Sequence, residues 1–447
     1  MRILKAWRCD INKEIEGIKQ QLSLLDGASS NRDTVRKIIQ DVQKRGDKAI
    51  TMYSKRFDAV ALTPDKFRVR EKEVDDAYRY ISSSFIKSIQ RAIKNIRRYQ
   101  EHIRIHKIGP LKAHGVVLDT LYYPLESVGV YVPGGAASYP STVLMNTIPA
   151  SVAGVDKIIM TTPPREDGAI PAERLVAARE AGVHEIYKVG GAQAVAALAF
   201  GTQTIPKVDK IVGPGNIFVT LAKKEVFGYS GIDMLAGPSE VLILADEYAN
   251  PSYVASDLLS QAEHAPGISI LVTYSESLAE RTMAEINRQI IALRRRTETM
   301  KCLDKYGIII LAKTMKQSIA ISNSIAPEHL QILTRNPRTI LSSIRHAGAI
   351  FLGSYTPVAI GDYIAGPSHV LPTSGTARFT SGLSVNDFLK RSSVITYSRS
   401  ALKDICLDLT EISEHEGLDA HTRSVRIRLD TQTDKQAKQE PVRKKVK

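Results

Sequence analysis

Four short segments of the chain, far apart in sequence, combine acid/base or metal-binding side chains with small or turn-forming residues. The segments are 258–264 (LLSQAEH), 326–330 (APEHL), 361–369 (GDYIAGPSH) and 416–421 (EGLDAH). Imidazoles, carboxylates and amide oxygens are groups with which proteins transfer protons and bind divalent metals. One such segment alone would mean little. The four in this order predict a single active site assembled from distant parts of the chain.

Each metal-competent residue also has an ordinary structural interpretation. Gln261 and His264 lie three apart in a stretch with apolar periodicity, so on a helix they share one face, but most such pairs are surface features. Asp362 lies in a Gly-flanked loop past a strand, where α/β sheets place functional groups at their carboxyl edge; alternatively, it caps a turn. His421 follows a predicted helix break at 416–418, and an exposed histidine is the alternative.

Glu328 and His329 are adjacent, so in a regular strand their side chains would lie on opposite faces. A strand that starts or bends after Pro327 would bring both side chains to one cavity. For an isolated Glu-His pair, a buried ion pair or a pair at a strand edge is the alternative.

The elements that must position these residues follow from the periodicity of the apolar residues. The first hundred residues are predicted to be helical, with Val35, Ile38 and Val42 among the positions that repeat at helical spacing. From about Ser127, short apolar strands that end at Gly or Pro alternate with helical patterns. The predicted strands are 128–132, 157–160, 185–189, 210–212, 241–244, 268–272, 308–311 and 349–352. This alternation predicts an α/β protein with two Rossmann-like parallel-sheet modules.

At 447 residues the chain is too long for one hydrophobic core. We expect an N-terminal helical arm, a helical part of the catalytic domain, two α/β domains and a small C-terminal segment. Their expected bounds are 1–30, 31–130, 131–237, 238–385 and 386–447. The last segment ends in a Lys/Gln-rich tail from Thr431 that we expect to be disordered.

Glycine turns end three predicted strands of the first module, at Gly134-Gly135, Gly190-Gly191 and Gly213-Pro214-Gly215. Glycine lets the backbone approach a phosphate, and the following helix offers free amides and the positive end of its dipole. No G-x-G-x-x-G motif follows the first strand, and the second lacks the acidic residue that usually binds an adenine ribose. The turns predict a bound anion of nucleotide size, with purely structural turns as the alternative.

The charge of the chain gives no sign of a nucleic-acid partner. The net charge is +14, but residues 422–447 alone carry nine Lys/Arg against three Asp/Glu, as a solvated basic tail would. Nucleic-acid binding would need a clustered basic face with interleaved aromatic residues, which the sequence does not show.

Hydropathy and cysteine usage predict a cytoplasmic protein without a membrane partner. No apolar run approaches the roughly 18 residues that span a bilayer, and residues 1–10 contain no apolar signal core. The three cysteines, Cys9, Cys302 and Cys406, are odd in number and lie outside every motif. They favour a reducing compartment and argue against a thiol nucleophile.

The four segments together resemble histidinol dehydrogenases, and so do residues 377–385 (ARFTSGLSV) and 387–391 (DFLKR). The resemblance extends from about Arg32 to Arg428. It implies a Zn²⁺-dependent enzyme that oxidises L-histidinol to L-histidine through histidinal with two NAD, the last step of histidine biosynthesis. The first α/β domain would bind NAD and the second would bind zinc. The residues themselves are equally compatible with NAD and NADP.

The resemblance also implies roles for individual residues. The expected zinc ligands are Gln261, His264, Asp362 and His421. These two imidazoles and two oxygens suit Zn²⁺ and leave positions open for the amine and imidazole nitrogens of the substrate. The expected NAD contacts are Tyr131, Gln193 and Asn216. The expected substrate-binding residues are Ser239, Gln261, His264, His329, Asp362, His369, Glu416 and His421.

Oxidation of a primary alcohol to an acid removes two hydrides in sequence, and the aldehyde between them must be attacked by a thiol or by water. Because no motif contains a cysteine, water is the expected nucleophile, and its activation needs a general base. We assign His329 to take the alcohol proton and Glu328 to activate the water. Histidinol is cationic, so we expect carboxylates, among them Glu416 and Asp362, to offset the positive charge of the chain.

In histidinol dehydrogenases the C-terminal segment crosses to the other subunit of an intertwined homodimer. The resemblance therefore implies a homodimer with shared active sites. In that dimer His421 and Glu416 complete the site of the neighbouring subunit.

Two other functions fit parts of the sequence. A paralogous zinc/NAD-dependent alcohol dehydrogenase, such as one acting on sulfopropanediol, would keep the metal site, but its anionic substrate would not be placed against Glu416. Leu418 and His369 also favour histidinol. A non-enzymatic basic protein that uses the sheet edge as a binding platform would be expected to lack Glu328 or His329, and both are present.

Overall fold

The computed structural model of the protein describes residues 1–11, 13–14, 16–17, 29–135 and 138–430. The tail from Thr431 that we expect to be disordered lies outside the described residues. The chain forms two compact units, one of residues 1–104 with 124–388 and one of residues 105–123 with 389–447. The five domain bounds given above remain predictions.

The strands are numbered along the chain. They are β1 (Arg2–Lys5), β2 (Leu111–Ala113), β3 (Val116–Pro124), β4 (Ser127–Tyr131), β5 (Lys157–Thr161), β6 (Glu185–Tyr187), β7 (Lys210–Val212), β8 (Gly231–Ile232), β9 (Ser239–Ala245), β10 (Gly267–Thr273), β11 (Gly307–Leu311), β12 (His329–Leu333), β13 (Ala349–Leu352) and β14 (Leu389–Tyr397). All eight predicted strands are present, each within about two residues of its expected bounds.

The helices are numbered in the same way. They are α1 (Ser29–Arg45), α2 (Asp47–Phe57), α3 (Glu71–Ala77), α4 (Ser83–Ile103), α5 (Pro140–Ala153), α6 (Ala172–Ala181), α7 (Gly191–Phe200), α8 (Ile217–Val226), α9 (Pro251–Ala262), α10 (Glu276–Gln289), α11 (Arg296–Tyr306), α12 (Met315–Ile325), α13 (Pro337–Leu341), α14 (Val358–Tyr363), α15 (Arg399–Asp404), α16 (Cys406–His415) and α17 (Asp419–Leu429).

Two parallel sheets organise the larger unit. The first sheet has the order β6-β5-β4-β7-β8 and the second has the order β1-β11-β10-β9-β12-β13. Without β1, the second sheet repeats the strand order of the first, which is the 3-2-1-4-5 order of Rossmann-like sheets. The α/β prediction with two parallel-sheet modules is therefore confirmed.

Strand β1 was not predicted from the apolar periodicity. It pairs in parallel with β11, from Arg2 opposite Ile308 to Lys5 opposite Leu311. Its four residues, RILK, are exposed or half-buried, so the sequence shows no continuous apolar run. Without β1, β11 would be an edge strand with unpaired backbone groups, and β1 forms because it pairs with them.

The strands of the second sheet bury both faces. Val241 and Ile243 pack on one side of the sheet, whereas Leu242 and Leu244 pack on the other. Side chains of a strand alternate between the two faces, so a strand covered on both sides must be apolar throughout. This is why these segments can be identified as strands from short uninterrupted apolar runs.

The N-terminal helices pack on the first sheet module. The predicted helical stripe of α1 is buried, and Val35, Ile38 and Val42 join one core with residues of α7. Helix α7 is apolar on every side and almost entirely buried, as expected for a helix enclosed by other elements.

The smaller unit contains a sheet of order β14-β3-β2 and the helices α15, α16 and α17. The predicted helix break is confirmed, since α16 ends at His415 and α17 begins at Asp419. Gly417 has φ +71°, a left-handed conformation that glycine adopts without steric cost. Among the described residues, no helix combines the length and apolar character needed to cross a membrane.

A buried ion pair holds the glycine turn after β7. Lys223 of α8 pairs with Asp233, and their side chains are only 3% and 1% exposed. Lys223 Nζ also donates to the carbonyl oxygen of Gly213 at 3.0 Å. The other oxygen of Asp233 accepts a hydrogen bond from the Gly213 nitrogen at 2.7 Å. One ion pair therefore satisfies both backbone groups of Gly213 and fixes the turn.

Replacement of Lys223 by Met should lower the free energy of unfolding by about 3–5 kcal/mol, because it leaves the Asp233 carboxylate buried and uncompensated. Guanidinium unfolding of the cofactor-free protein measures the effect. The matched control is Lys224→Met, which removes the same charge from an exposed neighbour and should change stability by less than about 0.5 kcal/mol. Equal denaturation midpoints for the two variants would contradict this account.

Candidate active site

A cleft of 380 Å³ gathers most of the predicted substrate and acid/base residues. It is lined by Ser239, His264, Glu328, His329, Asp362 and His369. Pro133 and Asn216, which follow strands of the first sheet, line the same cleft. The cleft therefore lies between the two sheet modules of the larger unit.

The reacting groups lie at the amino edge of the second sheet. Ser239 is the first residue of β9 and His329 is the first residue of β12. Our expectation that Asp362 lies in a loop at a carboxyl edge is not what the structure has. Asp362 belongs to α14, which follows β13 after a short loop. Since α14 carries the chain back along the sheet, Asp362 lines the cleft together with Ser239 and His329.

Glu328 and Glu240 hold each other through reciprocal hydrogen bonds. The nitrogen of Glu240 donates to Glu328 Oε2 at 2.8 Å. In return, the nitrogen of Glu328 donates to Glu240 Oε1 at 3.1 Å. Ser239 Oγ also donates to Glu328 Oε2, at 2.7 Å, and the Ser374 nitrogen donates to Glu240 Oε1 at 3.1 Å. We call this set of contacts the carboxylate clasp.

The clasp extends to His329. Its Nδ1 lies 3.1 Å from the carbonyl oxygen of Glu240, and a carbonyl oxygen can only accept a hydrogen bond. The proton is therefore on Nδ1, which leaves the lone pair of the neutral ring on Nε2. Nε2 is buried without a hydrogen-bond partner among the described residues and lies 3.7 Å from Asp362 Oδ1. Glu328 and His329 thus reach one cleft, because β12 begins only at His329.

Burial shifts the pKa values of three side chains that line the cleft. It raises the pKa of the Glu328 carboxyl above its ordinary value, against the lowering influence of His329 and of the hydrogen bonds that Glu328 accepts. Burial also lowers the pKa of His264 and of His369. A neutral imidazole is the form that binds metals, so the cleft favours His264 as a ligand at neutral pH.

The expected metal ligands are distributed over both units. Gln261 is in the last turn of α9, is 3% exposed, and its Nε2 has no partner among the described residues. His264 lies two residues beyond the end of α9, in a turn closed by its nitrogen on the Gln261 oxygen at 3.2 Å. The spacing of Gln261 and His264 suggested that both lie on one face of a helix. In the structure they instead lie in the same turn at the end of α9.

His421 and Glu416 belong to the smaller unit, where both are exposed. Within the described part of the chain, no three His, Cys, Asp or Glu side chains converge closely enough to hold a metal ion. The four zinc ligands therefore remain a prediction.

A second cleft of 780 Å³ lies at the carboxyl edge of the first sheet. The predicted cofactor residues Tyr131, Gln193 and Asn216 all line it, together with the Gly134-Gly135 turn. Tyr131 accepts a hydrogen bond from the Gly191 nitrogen at 3.1 Å. Burial raises the pKa of Tyr131 to about 12, so its hydroxyl keeps its proton and can still donate.

The other two predicted cofactor residues, Gln193 and Asn216, differ in their hydrogen bonds. Gln193 is 1% exposed, and neither atom of its side-chain amide has a partner among the described residues. Asn216 caps α8 by accepting from the nitrogens of Phe218 and Val219. A buried amide without partners costs free energy, which favours Gln193 as a residue that a bound ligand satisfies.

Glycine is required at the turn after β7. Gly213 has φ +111°, and a Cβ there would lie 2.1 Å from the carbonyl oxygen of Tyr131. The turn thus passes directly against the end of β4, and the same turn leads to Asn216. Pro133 and Asn216 line both clefts, so a dinucleotide in the larger cleft would end beside the reacting groups.

Comparison with known proteins agrees with this geometry. A family model described as histidinol dehydrogenase matches residues 25–429. The chain is 51% identical to the histidinol dehydrogenase of Clostridium acetobutylicum over 96% of this chain and 99% of the relative. It is 50% identical to that of Bacillus subtilis over 92% of this chain and 96% of the relative. The chain belongs to the histidinol dehydrogenase family.

A solved structure supports the same conclusion. The histidinol dehydrogenase of Elizabethkingia anophelis has a TM-score of 0.86 and 38% identity to this chain, covering 90% of this chain and 93% of that one. Histidinol dehydrogenases are oxidoreductases that use NAD and Zn²⁺, and this chain is an oxidoreductase of the family. The alternative of a sulfopropanediol dehydrogenase finds no support among these relatives.

Sequence reasoning missed three residues that carry no motif and that the structure places at the two clefts or in contact with a residue of one. Glu240 directly follows Ser239 and was not selected, although a buried acidic residue at the start of an apolar strand is unusual enough to be a signal. Arg174 of α6 is 1% exposed and lines the larger cleft, where its Nε donates to the Ser138 oxygen at 2.9 Å. Asp58 lines the same cleft from the helical region, and nothing in its sequence context indicates that.

Proposed function

We propose that this chain catalyses the oxidation of L-histidinol to L-histidine through histidinal. Each turnover would consume two NAD⁺ and one water and release two NADH and three protons, the third from ionisation of the carboxylic acid. The observation that carries the proposal is that Glu328 and His329 converge in one cleft that adjoins the larger, glycine-lined cleft. Membership of the histidinol dehydrogenase family supplies the substrate class.

His329 is the base that takes the alcohol proton. Its Nδ1 is committed to the Glu240 oxygen, so the proton acceptor is Nε2. That atom has no partner among the described residues. It is therefore available to a substrate hydroxyl without first breaking a hydrogen bond within the protein.

Glu328 is the base that activates water for attack on the aldehyde. The clasp binds Oε2 through Ser239 and Glu240, so Oε1 is the oxygen left to take a proton from water. Burial raises the pKa of Glu328, and a carboxylate with a raised pKa is a stronger base when it is ionised. The alcohol proton and the water proton would therefore go to different side chains, His329 and Glu328.

The donor set fits zinc. Gln261 has an unpartnered amide, burial keeps His264 neutral, and Asp362 lies in the same cleft. With His421 these residues would hold the ion. Bound Zn²⁺ would act as a Lewis acid on the substrate, and NAD would accept a hydride in each oxidation.

The substrate is oriented by residues around the same cleft. His369 Nδ1 donates to the Asp362 carbonyl oxygen at 2.9 Å, which turns its Nε2 away from that backbone. The Ser239 hydroxyl already donates a hydrogen bond to Glu328 Oε2. Glu416 would take the imidazole side of the cationic substrate. Tyr131, Gln193 and Asn216 would contact NAD in the larger cleft.

The homodimer is part of the proposal. The smaller unit carries His421 and Glu416 as exposed residues, which supports their use in the site of a neighbouring subunit. A monomer would then lack a complete ligand set.

The three cysteines are free thiols, which supports a cytoplasmic location.

If Glu328 completes the second oxidation, the product should be the acid, and NADH formed per histidinol consumed should approach two, because each oxidation transfers one hydride. Absorbance at the NADH band against chromatographic loss of histidinol gives the ratio. A ratio near one with free histidinal in solution would contradict the water-activating role.

His329→Asn should slow oxidation of histidinol more than oxidation of supplied histidinal, and Glu328→Gln should show the opposite bias. Loss of a general base typically costs about 10²- to 10⁴-fold in rate. Single-turnover kinetics on both substrates measure the two losses. Identical losses on both substrates in both variants would mean that the roles are not divided in this way.

The shared site predicts subunit complementation. His264→Ala and His421→Ala proteins should each be inactive, but after subunit exchange a mixed dimer has one site with both lesions and one intact site. Random exchange should restore up to about a quarter of wild-type activity. Mass-tagged subunits verify the exchange independently. If verified exchange restored no activity and no zinc binding, the smaller unit would serve its own subunit.

A further inference from the structure

The larger cleft has an acidic residue that its own sheet does not provide. In Rossmann-like sheets a carboxylate after the second strand usually binds the hydroxyls of the adenosine ribose. Here the second strand, β5, is followed by Thr162, Pro163 and Pro164, none of which is acidic. The first acidic residue of this loop, Glu166, comes later, is exposed and lines the cleft. A half-buried carboxylate also lines the cleft, and it comes from the helical region that precedes the sheet.

That carboxylate is Asp58. It ends α2 as the C-cap residue, with its nitrogen bound to the Ser54 oxygen at 2.9 Å. Ala59 has φ +56° and turns the chain, so that Val60 packs beside the loop after β5. A Cβ on Gly168 of that loop would lie 3.7 Å from Val60 Cγ1. The segment therefore places Asp58 beside the loop after β5, which has no acidic residue directly after the strand.

One side-chain oxygen of Asp58, Oδ2, is buried and accepts no hydrogen bond from the described residues. Burial alone raises the pKa of Asp58 to about 6. The carboxyl is thus largely ionised at neutral pH in a place where ionisation costs free energy. Such a group is stabilised when a ligand donates hydrogen bonds to it.

The position of Asp58 along the cleft identifies the part of the ligand that it meets. Pro133 and Asn216 line both clefts, so the nicotinamide end of the dinucleotide belongs beside them. Asp58 lines only the larger cleft, on the side of the β5 loop. The opposite end of a dinucleotide is the adenosine, whose ribose offers two vicinal hydroxyls as donors.

We propose that Asp58 accepts hydrogen bonds from the adenosine ribose hydroxyls of NAD and thereby discriminates against NADP. The inference rests on the proposed use of the larger cleft by the cofactor. A phosphate on the ribose 2′-oxygen removes one donor and places a dianion against a half-buried carboxylate. Both effects disfavour NADP and leave NAD unaffected.

Two cationic residues of the cleft, Arg165 and Arg174, would oppose this discrimination by attracting a 2′-phosphate. The guanidinium of Arg174 is engaged in hydrogen bonds to the Ser138 oxygen and to Thr162 Oγ1. The side chain of Arg165 is exposed, and the neighbouring Glu166 lines the cleft as well. Exposed charges are screened by water and salt, whereas partly buried ones are screened much less. The repulsion from Asp58 therefore outweighs the attraction to Arg165.

The test measures binding rather than turnover. Isothermal titration of the full-length, zinc-loaded protein gives dissociation constants for NAD, NADP and 2′-deoxy-NAD. Asp58→Asn should weaken NAD by about tenfold or more, because it removes a charged acceptor, and should strengthen NADP. The wild type should bind 2′-deoxy-NAD about as weakly as the variant binds NAD. The matched control is Asp65→Asn, which removes a carboxylate from the exposed Pro64–Lys66 turn and should leave all three constants unchanged.

A second variant separates failure of the cleft from failure of Asp58. A Cβ at Gly134 would lie 2.4 Å from Pro163 Cγ, so Gly134→Val should narrow the cleft and abolish NAD binding. If Gly134→Val bound NAD normally, the proposed cofactor cleft would be wrong. If Gly134→Val lost NAD while Asp58→Asn kept both its NAD affinity and its preference over NADP, the cleft would stand and the role of Asp58 would be excluded.

The pH dependence of stability distinguishes a ligand-binding carboxylate from a structural one. Since burial raises the pKa of Asp58 from 3.8 to about 6, its neutral form favours folding below about pH 4. That contribution is lost as the pH rises through about 6. Asp58→Asn, without cofactor, should therefore be more stable than the wild type at pH 8 and about equally stable at pH 4. A lower stability of the variant at pH 8 would mean that Asp58 supports the fold, and would overturn the proposal.

Discussion

The reciprocal hydrogen bonds between Glu240 and Glu328 are the constraint on which the catalytic cleft depends. They join the starts of β9 and β12, and the same residue, Glu240, also orients the ring of His329 through its carbonyl oxygen. Each backbone group in the clasp is satisfied by the neighbouring strand, so neither carboxylate is buried without partners. A shift of either strand would therefore displace both proton acceptors at once. The proposed proton acceptors therefore lie at or next to the start of a strand, which restricts their movement.

The two sheets share a strand order but contribute opposite edges to the site. The first sheet uses its carboxyl edge, where glycine turns and helix N-termini can receive phosphates. The second sheet presents its amino edge, where Ser239 and His329 begin their strands. Because the two sheets present opposite edges, the larger cleft can adjoin the smaller one at Pro133 and Asn216. The rule that ligands bind at carboxyl ends of strands therefore fits the proposed cofactor cleft but not the cleft that contains Glu328 and His329.

Much of the fold could be predicted because the relevant signal is local. Strands buried on both faces must be largely apolar, so β9 and β11 stand out through the uninterrupted apolar runs 241–245 and 308–311. The unpredicted elements owe their form to distant partners: β1 has no apolar run and exists because β11 offers an edge. The same division applies to the site. Glu328 and His329 carry a motif, whereas Asp58 reaches its cleft only through tertiary packing.

Three side chains that line the two clefts have buried polar atoms without a hydrogen-bond partner among the described residues. Most buried polar atoms in proteins have partners, because an unpaired one costs about 1–3 kcal/mol. Gln193, His329 and Asp58 line the two clefts and each keeps an unpaired buried atom among the described residues. Such atoms destabilise the empty protein, and a ligand that supplies the missing hydrogen bonds recovers that free energy as affinity. In these two clefts, part of the affinity for a ligand is therefore expected to come from hydrogen bonds to atoms that the empty protein leaves unpaired.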